Sequence, residues 1–204
     1  MNGLQWKPVI YTPVDLTVWF GVEALTSADP RPWCQQTAAD KLGPGAGHRQ
    51  VAELARCLEE YAGLFRRGDL PACAAVFFYP DFTRIPPRAT TEVYLVGEDP
   101  VTGPMTLARA REMCETLDEL SAGDSGITET EVPAGPALRA HRHRKLDPAK
   151  RRSRIGEEVA WFICPPGSTQ AVMMFTRWAE PVFSKAATTI ADDMARNFRT
   201  EPRP

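Results

Sequence analysis

The sequence predicts an α+β fold, a single antiparallel sheet covered by helices on both faces as in an α/β/α sandwich. Three observations carry this. Residues 159–164 and 171–179 are apolar on both alternating sides, with Val159, Trp161 and Ile163 on one side of the first segment and Ala160, Phe162 and Cys164 on the other. Strands covered on both faces lose the apolar/polar alternation of a half-exposed sheet. Between these segments lies Pro165-Pro166-Gly167-Ser168, where Pro166 has the φ for turn position i+1 and Gly167 accepts a positive φ at i+2. So short a link joins antiparallel neighbours, because a parallel pair needs a crossover of about a dozen residues. Finally, Phe183, Ala187, Ile190, Met194 and Phe198 recur at helical spacing and predict a covering helix over 183–198. Ser184 is placed to cap it, and Asp192, Asp193, Arg196 and Arg199 lie off the stripe on a solvated face. Pro202 and Pro204 prevent continuation, leaving 200–204 as a disordered-prone tail.

Taken in order, residues 9–20 open the fold as an extended segment whose Pro8 and Pro13 suit an edge strand. Residues 26–47 read as loop, with Asp29-Pro30-Arg31-Pro32 and a Gly-Pro-Gly cluster at 43–47. Those glycines lack the spacing of a phosphate-binding loop, so they serve as an entry loop to the next element. That element is a helix over 48–67, with Val51, Leu54, Ala55, Leu58, Ala62 and Phe65 as its apolar stripe. Gly68 and Pro71 end it. A strand over 74–79 follows, then a turn region at 80–87 and a strand over 91–97. A helix over 105–120 is capped by Thr106, and the polar segment 127–132 reads as an edge strand whose acids discourage further pairing. The basic strand over 137–145 returns to the apolar pair.

At 204 residues, with no Gly/Ser-rich or charge-run linker, one domain spanning 1–204 is expected. The hydrophobic fraction of 43% and charged fraction of 25% are those of an ordinary soluble globular chain. A net charge of -2 gives no bulk pull toward nucleic acid or anionic membranes. The abundance of Ala, Arg, Gly and Pro is the composition of a bacterial protein from a G+C-rich genome. The N-terminus has no basic segment leading into an apolar core, and no apolar run approaches the roughly 20 residues of a membrane-spanning helix, so a cytoplasmic location is expected. Cys34, Cys57, Cys73, Cys114 and Cys164 are scattered, odd in number and without a C-x-x-C, which argues against a disulfide framework or a thiolate zinc site. Cys34, in the loop-like region beside Trp33, is the thiol to test for reactivity.

The segments 158–163, 171–176 and 191–199 together resemble the C-terminal part of the PsbP-like α/β/α sandwich family, which includes actinobacterial lipoproteins and a eukaryotic factor that binds the Ran GTPase. The lipoprotein members carry a signal peptide and lipidated cysteine, and neither is found in this sequence. Family members are mostly binding, assembly or accessory proteins, so the resemblance implies a binding role and transfers no catalytic residue.

The clearest surface feature is the basic run 139–154. Strand alternation puts Arg139, His141, His143 and Lys145 on one side and Arg142 and Arg144 on the other. Arg151, Arg152 and Arg154 follow the Asp147-Pro148 turn signal, so the run forms a basic hairpin. It reads either as a solvated arm or as a docking surface for an acidic protein, since clustered arginines suit carboxylate recognition. Nucleic-acid binding would call for a broader basic face with interleaved aromatics, and these are missing from the run. His141 and His143 share a strand face, but a metal site needs further ligands and neighbouring cations oppose one. No cofactor motif and no G-x-S-x-G is present. The expected function is therefore a noncatalytic accessory protein of adaptor, chaperone-like or immunity type, docking an acidic partner through Arg139, His141, Arg142, His143, Arg144, Lys145, Arg151, Arg152 and Arg154. The alternative is a small enzyme whose site is assembled from separate loops, with Cys34, Asp81, Arg84, His141 and His143 as its first candidates.

Overall fold

The structure, a computed structural model, describes residues 6–9, 17–20, 29–66, 74–78, 87–98, 101, 103–116, 123, 126–146 and 154–202. Its elements run β1 (Trp6–Val9), β2 (Thr17–Phe20), α1 (Arg31–Leu42), α2 (His48–Arg66), β3 (Ala74–Phe78), β4 (Ala89–Val96) and α3 (Leu107–Thr116). They continue with β5 (Gly126–Val132), β6 (Gly135–Lys145), β7 (Ile155–Ile163), β8 (Ala171–Trp178), α4 (Ser184–Asn197) and β9 (Arg199–Pro202). The fold is α+β, with antiparallel strands and four helices among the described residues. Internal contacts gather the chain into two compact units, one of Met1–Thr12 with Leu95–Pro204 and one of Pro13–Tyr94.

In the smaller unit β3 pairs with both β2 and β4, setting Thr17 opposite Phe78 and Ala74 opposite Val93. Its helical core joins Cys34 and Ala38 of α1 to Leu54, Ala55, Leu58 and Ala62 of α2, with Trp33, Leu42, Val51 and Tyr94 packed against them. The stripe expected on α2 is thus the buried one, though Phe65 lies outside the described side chains. The loop expected over 26–47 is instead largely the helix α1. Its two prolines start the helix, because Pro32 falls in the first turn, where a missing N–H costs nothing. Asp29 accepts a bond from the Arg31 backbone N–H at 3.2 Å and steadies that turn. Gly43, at φ 77, ends the helix as its N–H bonds back to the Ala39 carbonyl, so the glycine cluster is a C-cap and connector.

This corrects the reading of Cys34. The residue is fully buried on α1, not in an irregular surface segment. Cys114 is also buried, and burial pushes its thiol up to about 11. Iodoacetamide treatment of the native protein at pH 8, read by peptide mapping, leaves both Cys34 and Cys114 unmodified and labels them only in urea. Native-state labelling of either would contradict their placement.

In the larger unit β5, β6, β7 and β8 form an antiparallel meander. The β7–β8 turn has the expected form: Ser168 N–H bonds to the Pro165 carbonyl at 3.2 Å, and Gly167 has φ 72. Residues of β7 and β8 are buried on both sides of the sheet, as their doubly apolar pattern predicts. The two covers are α4, which bonds to Arg139, Glu157 and Trp161 on one face, and α3, whose Arg111 bonds to Glu129 on the other. Phe162 and Phe175 meet edge to face on the α3 side, their centroids 5.8 Å apart. Thr106 caps α3 by accepting the Arg109 backbone N–H at 3.3 Å, as expected. Ser184 does not cap α4: its hydroxyl donates to Glu157 Oε2 at 2.8 Å, and a 3-10 turn, Pro181–Phe183, leads into the helix. Beyond α4, Phe198 turns extended and Arg199–Pro202 pairs with β1, so the start of the expected tail is strand.

Candidate functional site

The β6–β7 hairpin holds the charged groups, and its register sets them together. Arg142 lies opposite Glu158, and Glu158 lies opposite Arg177 on β8. Three strands therefore place a guanidinium, a carboxylate and a guanidinium in one row across the α3 face, with Arg144 reaching in diagonally. Arg142 donates to Glu158 Oε1 from Nε at 2.7 Å and also from Nη2. Arg144 Nη1 donates to Oε2 at 2.7 Å and Arg177 Nε to the same oxygen at 2.6 Å. These four bonds occupy the acceptor sites of the carboxylate.

Burial grades outward through this cluster. Glu158 is 0% exposed, the Arg142 side chain 8%, Arg144 21% and Arg177 31%. Burial alone pushes the Glu158 carboxyl up, but Arg177, Arg142 and Arg144 outweigh it and hold it below the usual glutamate range. Arg177 also lies over the Phe175 ring at 5.1 Å, which fixes its plane. Three guanidiniums thus converge on the one Glu158 carboxylate.

The α4 face carries a second set. Arg139 grips Asp192 of α4 through Nε at 2.8 Å and Nη2 at 3.3 Å, and Trp161 Nε1 donates to Asp192 Oδ1 at 3.2 Å. Asp192 is therefore turned inward, a correction to its expected place on a solvated helix face; Asp193 beside it stays exposed. His141 Nε2 lies 3.0 Å from Glu157 Oε2, the oxygen that also accepts the Ser184 hydroxyl. Burial pushes Glu157 up, yet the bonds from Ser184 and His141 leave it lowered overall. Among the described contacts, serine and histidine each meet the same acid oxygen and not one another, so the trio is not arranged as a nucleophile–base–acid relay.

The expected alternation thus stands, with Arg139 and His141 on one face and Arg142 and Arg144 on the other. Arg142 is buried rather than presented, Arg139 and Arg144 are half-buried in ion pairs, and His141 is half-buried beside Glu157. His143, Lys145 and Arg154 are exposed. The Leu146 N–H bonds to the Arg154 carbonyl at 2.9 Å and holds the two arms together. Arg151 and Arg152 lie outside the described residues, as do Asp81 and Arg84. Of the candidate enzyme set, Cys34 belongs to the core of the smaller unit and His141 and His143 to the larger. The His141 and His143 rings stack with centroids 6.4 Å apart, but no metal-ligand cluster occurs among the described residues. Glu158, Arg177 and Asp192 are the residues that sequence reasoning missed as site members. Their signal is the hairpin register, which pairs 142 with 158 across the loop.

No helix among the described residues is long and apolar enough to cross a membrane. No protein-family model matches the chain, the PsbP-like family included, and no curated protein matches it. Among solved structures, the chain is similar to the crystal structure of LpqN, involved in cell envelope biogenesis of Mycobacterium tuberculosis, at 10% identity over 98% of this chain and 88% of that one, with a TM-score of 0.49.

Proposed function

We propose that this chain is a noncatalytic binding protein that docks an acidic protein surface through the β6–β7 hairpin. The observation that carries the reading is the buried Glu158 carboxylate with Arg142, Arg144 and Arg177 gathered around it. One acid anchors three bases, so the root of the hairpin is rigid. Arg154 and Lys145 add exposed positive charge to the two arms just beyond the cluster, Lys145 on the opposite side of the strand from Arg142 and Arg144. A fixed guanidinium array recognises carboxylates at lower ordering cost than free side chains do.

The test is fluorescence anisotropy with a labelled oligoglutamate peptide. The double variant Lys145→Glu/Arg154→Glu, which leaves the Glu158 cluster intact, weakens binding at least tenfold, and raising the salt weakens the wild-type complex. Equal affinity in the variant, or tighter binding of single-stranded DNA than of the peptide, would overturn the proposal.

A further inference from the structure

A cleft of about 290 Å³ opens where α4 lies over the β5 edge of the meander, away from the Glu158 cluster. It is lined by Thr128 and Thr130 of β5, Arg139 of β6, Trp161 of β7, and Asp192 and Arg196 of α4. Glu131 and Val132 complete its wall. We propose that this cleft binds a neutral polyhydroxylated ligand the size of one sugar ring.

The charges decide the class. Arg139 and Arg196 balance Glu131 and Asp192, so the lining has no net charge to favour an ion. Arg139 and Asp192 are moreover committed to each other by two bonds, at 2.8 and 3.3 Å. A charged ligand would have to break that half-buried pair, whereas a hydroxyl can bridge it intact. The pair leaves matched groups for this purpose. Asp192 Oδ1 is filled by Arg139 Nε and Trp161 Nε1, while Oδ2 accepts only Arg139 Nη2 among the described residues. Arg139 Nη1 donates to no described residue. One acceptor and one donor side by side fit two adjacent hydroxyls of a ring, one giving a proton and the other taking one.

The Thr128 and Thr130 hydroxyls add two groups that both donate and accept. Residues 128 and 130 of β5 alternate onto the same face of the sheet as Arg139 of β6, their side fixed by Thr128 lying opposite Arg139. Buried Trp161 and Val132 supply an apolar wall for the C–H side of a ring. Trp161 also ties the cleft to its own reporter, since its indole N–H bonds to the same Asp192 that would meet the ligand. The volume admits one ring and excludes an extended oligomer from full enclosure.

The experiment is saturation-transfer NMR with glucose, mannose, galactose and myo-inositol, each run against glucuronate. At least one neutral ligand binds with a dissociation constant on the order of 1 mM, as expected for so small a molecule. Its binding shifts the Trp161 indole N–H resonance. Thr128→Val/Thr130→Val, which suits an exposed strand, weakens binding about tenfold with the melting temperature unchanged. Arg196→Ala at the rim weakens it as well. No saturation transfer from any neutral ligand, equal binding in both variants, or preference for glucuronate would overturn the proposal.

Discussion

Glu158→Gln lowers the stability of the protein by about 3–5 kcal/mol, because it leaves Arg142, Arg144 and Arg177 without the charge that holds them. The amide keeps the shape of the carboxylate but offers one acceptor oxygen in place of two, and its NH2 group faces donors. The penalty comes chiefly from Arg142, whose guanidinium is buried with nothing else described to pair with it. The sign with pH follows from the lowered carboxyl. A carboxylate held below its unfolded value stabilises the fold fully above that value, 4.5 for glutamate, and loses its contribution as pH falls through the lower folded value. The gap between wild type and Glu158→Gln therefore closes in acid and is constant from pH 6 to 8. Urea unfolding followed by tryptophan fluorescence measures it. A gap below about 1 kcal/mol at pH 7 would mean that the cluster is no more than a surface ion pair.

Gly135→Ala costs about 3 kcal/mol, from two sources acting together. Gly135 has φ 132, a conformation that side-chain-bearing residues rarely adopt. A Cβ there would also sit 2.7 Å from Pro166 Cδ and 2.8 Å from the Cys164 carbonyl oxygen, both on a turn braced by the Cys164 N–H bond to the Pro136 carbonyl. Neither atom is the end of a flexible side chain, so the backbone itself must move. Gly167→Ala, at φ 72 but with open space around its Cβ position, costs less. Urea midpoints of the two variants check the order, and equal midpoints would remove the steric part of the account.

Much of the larger unit was legible because its signals are local. The doubly apolar β7 and β8, the Pro166-Gly167 turn and the capped α3 each declare themselves within a dozen residues. The helix α1 was hidden because its apolar residues, Trp33, Cys34, Ala38 and Leu42, are sparse and its prolines look like loop markers when read without position. Proline in a first turn starts a helix, and only the residues after it distinguish the two cases. The α4 stripe was legible, yet the inward turn of Asp192 was not. It depends on Arg139 and Trp161, 53 and 31 residues away, meeting on one sheet face. The alternation of the hairpin arginines was likewise readable, whereas their partners required the register. A strand shows which side a residue takes, and only pairing shows what it faces.

The central claim, that the β6–β7 hairpin docks an acidic surface, is tested most directly by titrating 15N-labelled protein with an oligoglutamate peptide and following backbone and arginine Nε–H resonances. The account predicts shifts concentrated at Arg144, Lys145, Arg154 and Arg177, with α1 and α2 unmoved. Shifts centred on the smaller unit, or no shifts at a peptide excess that saturates binding, would contradict it.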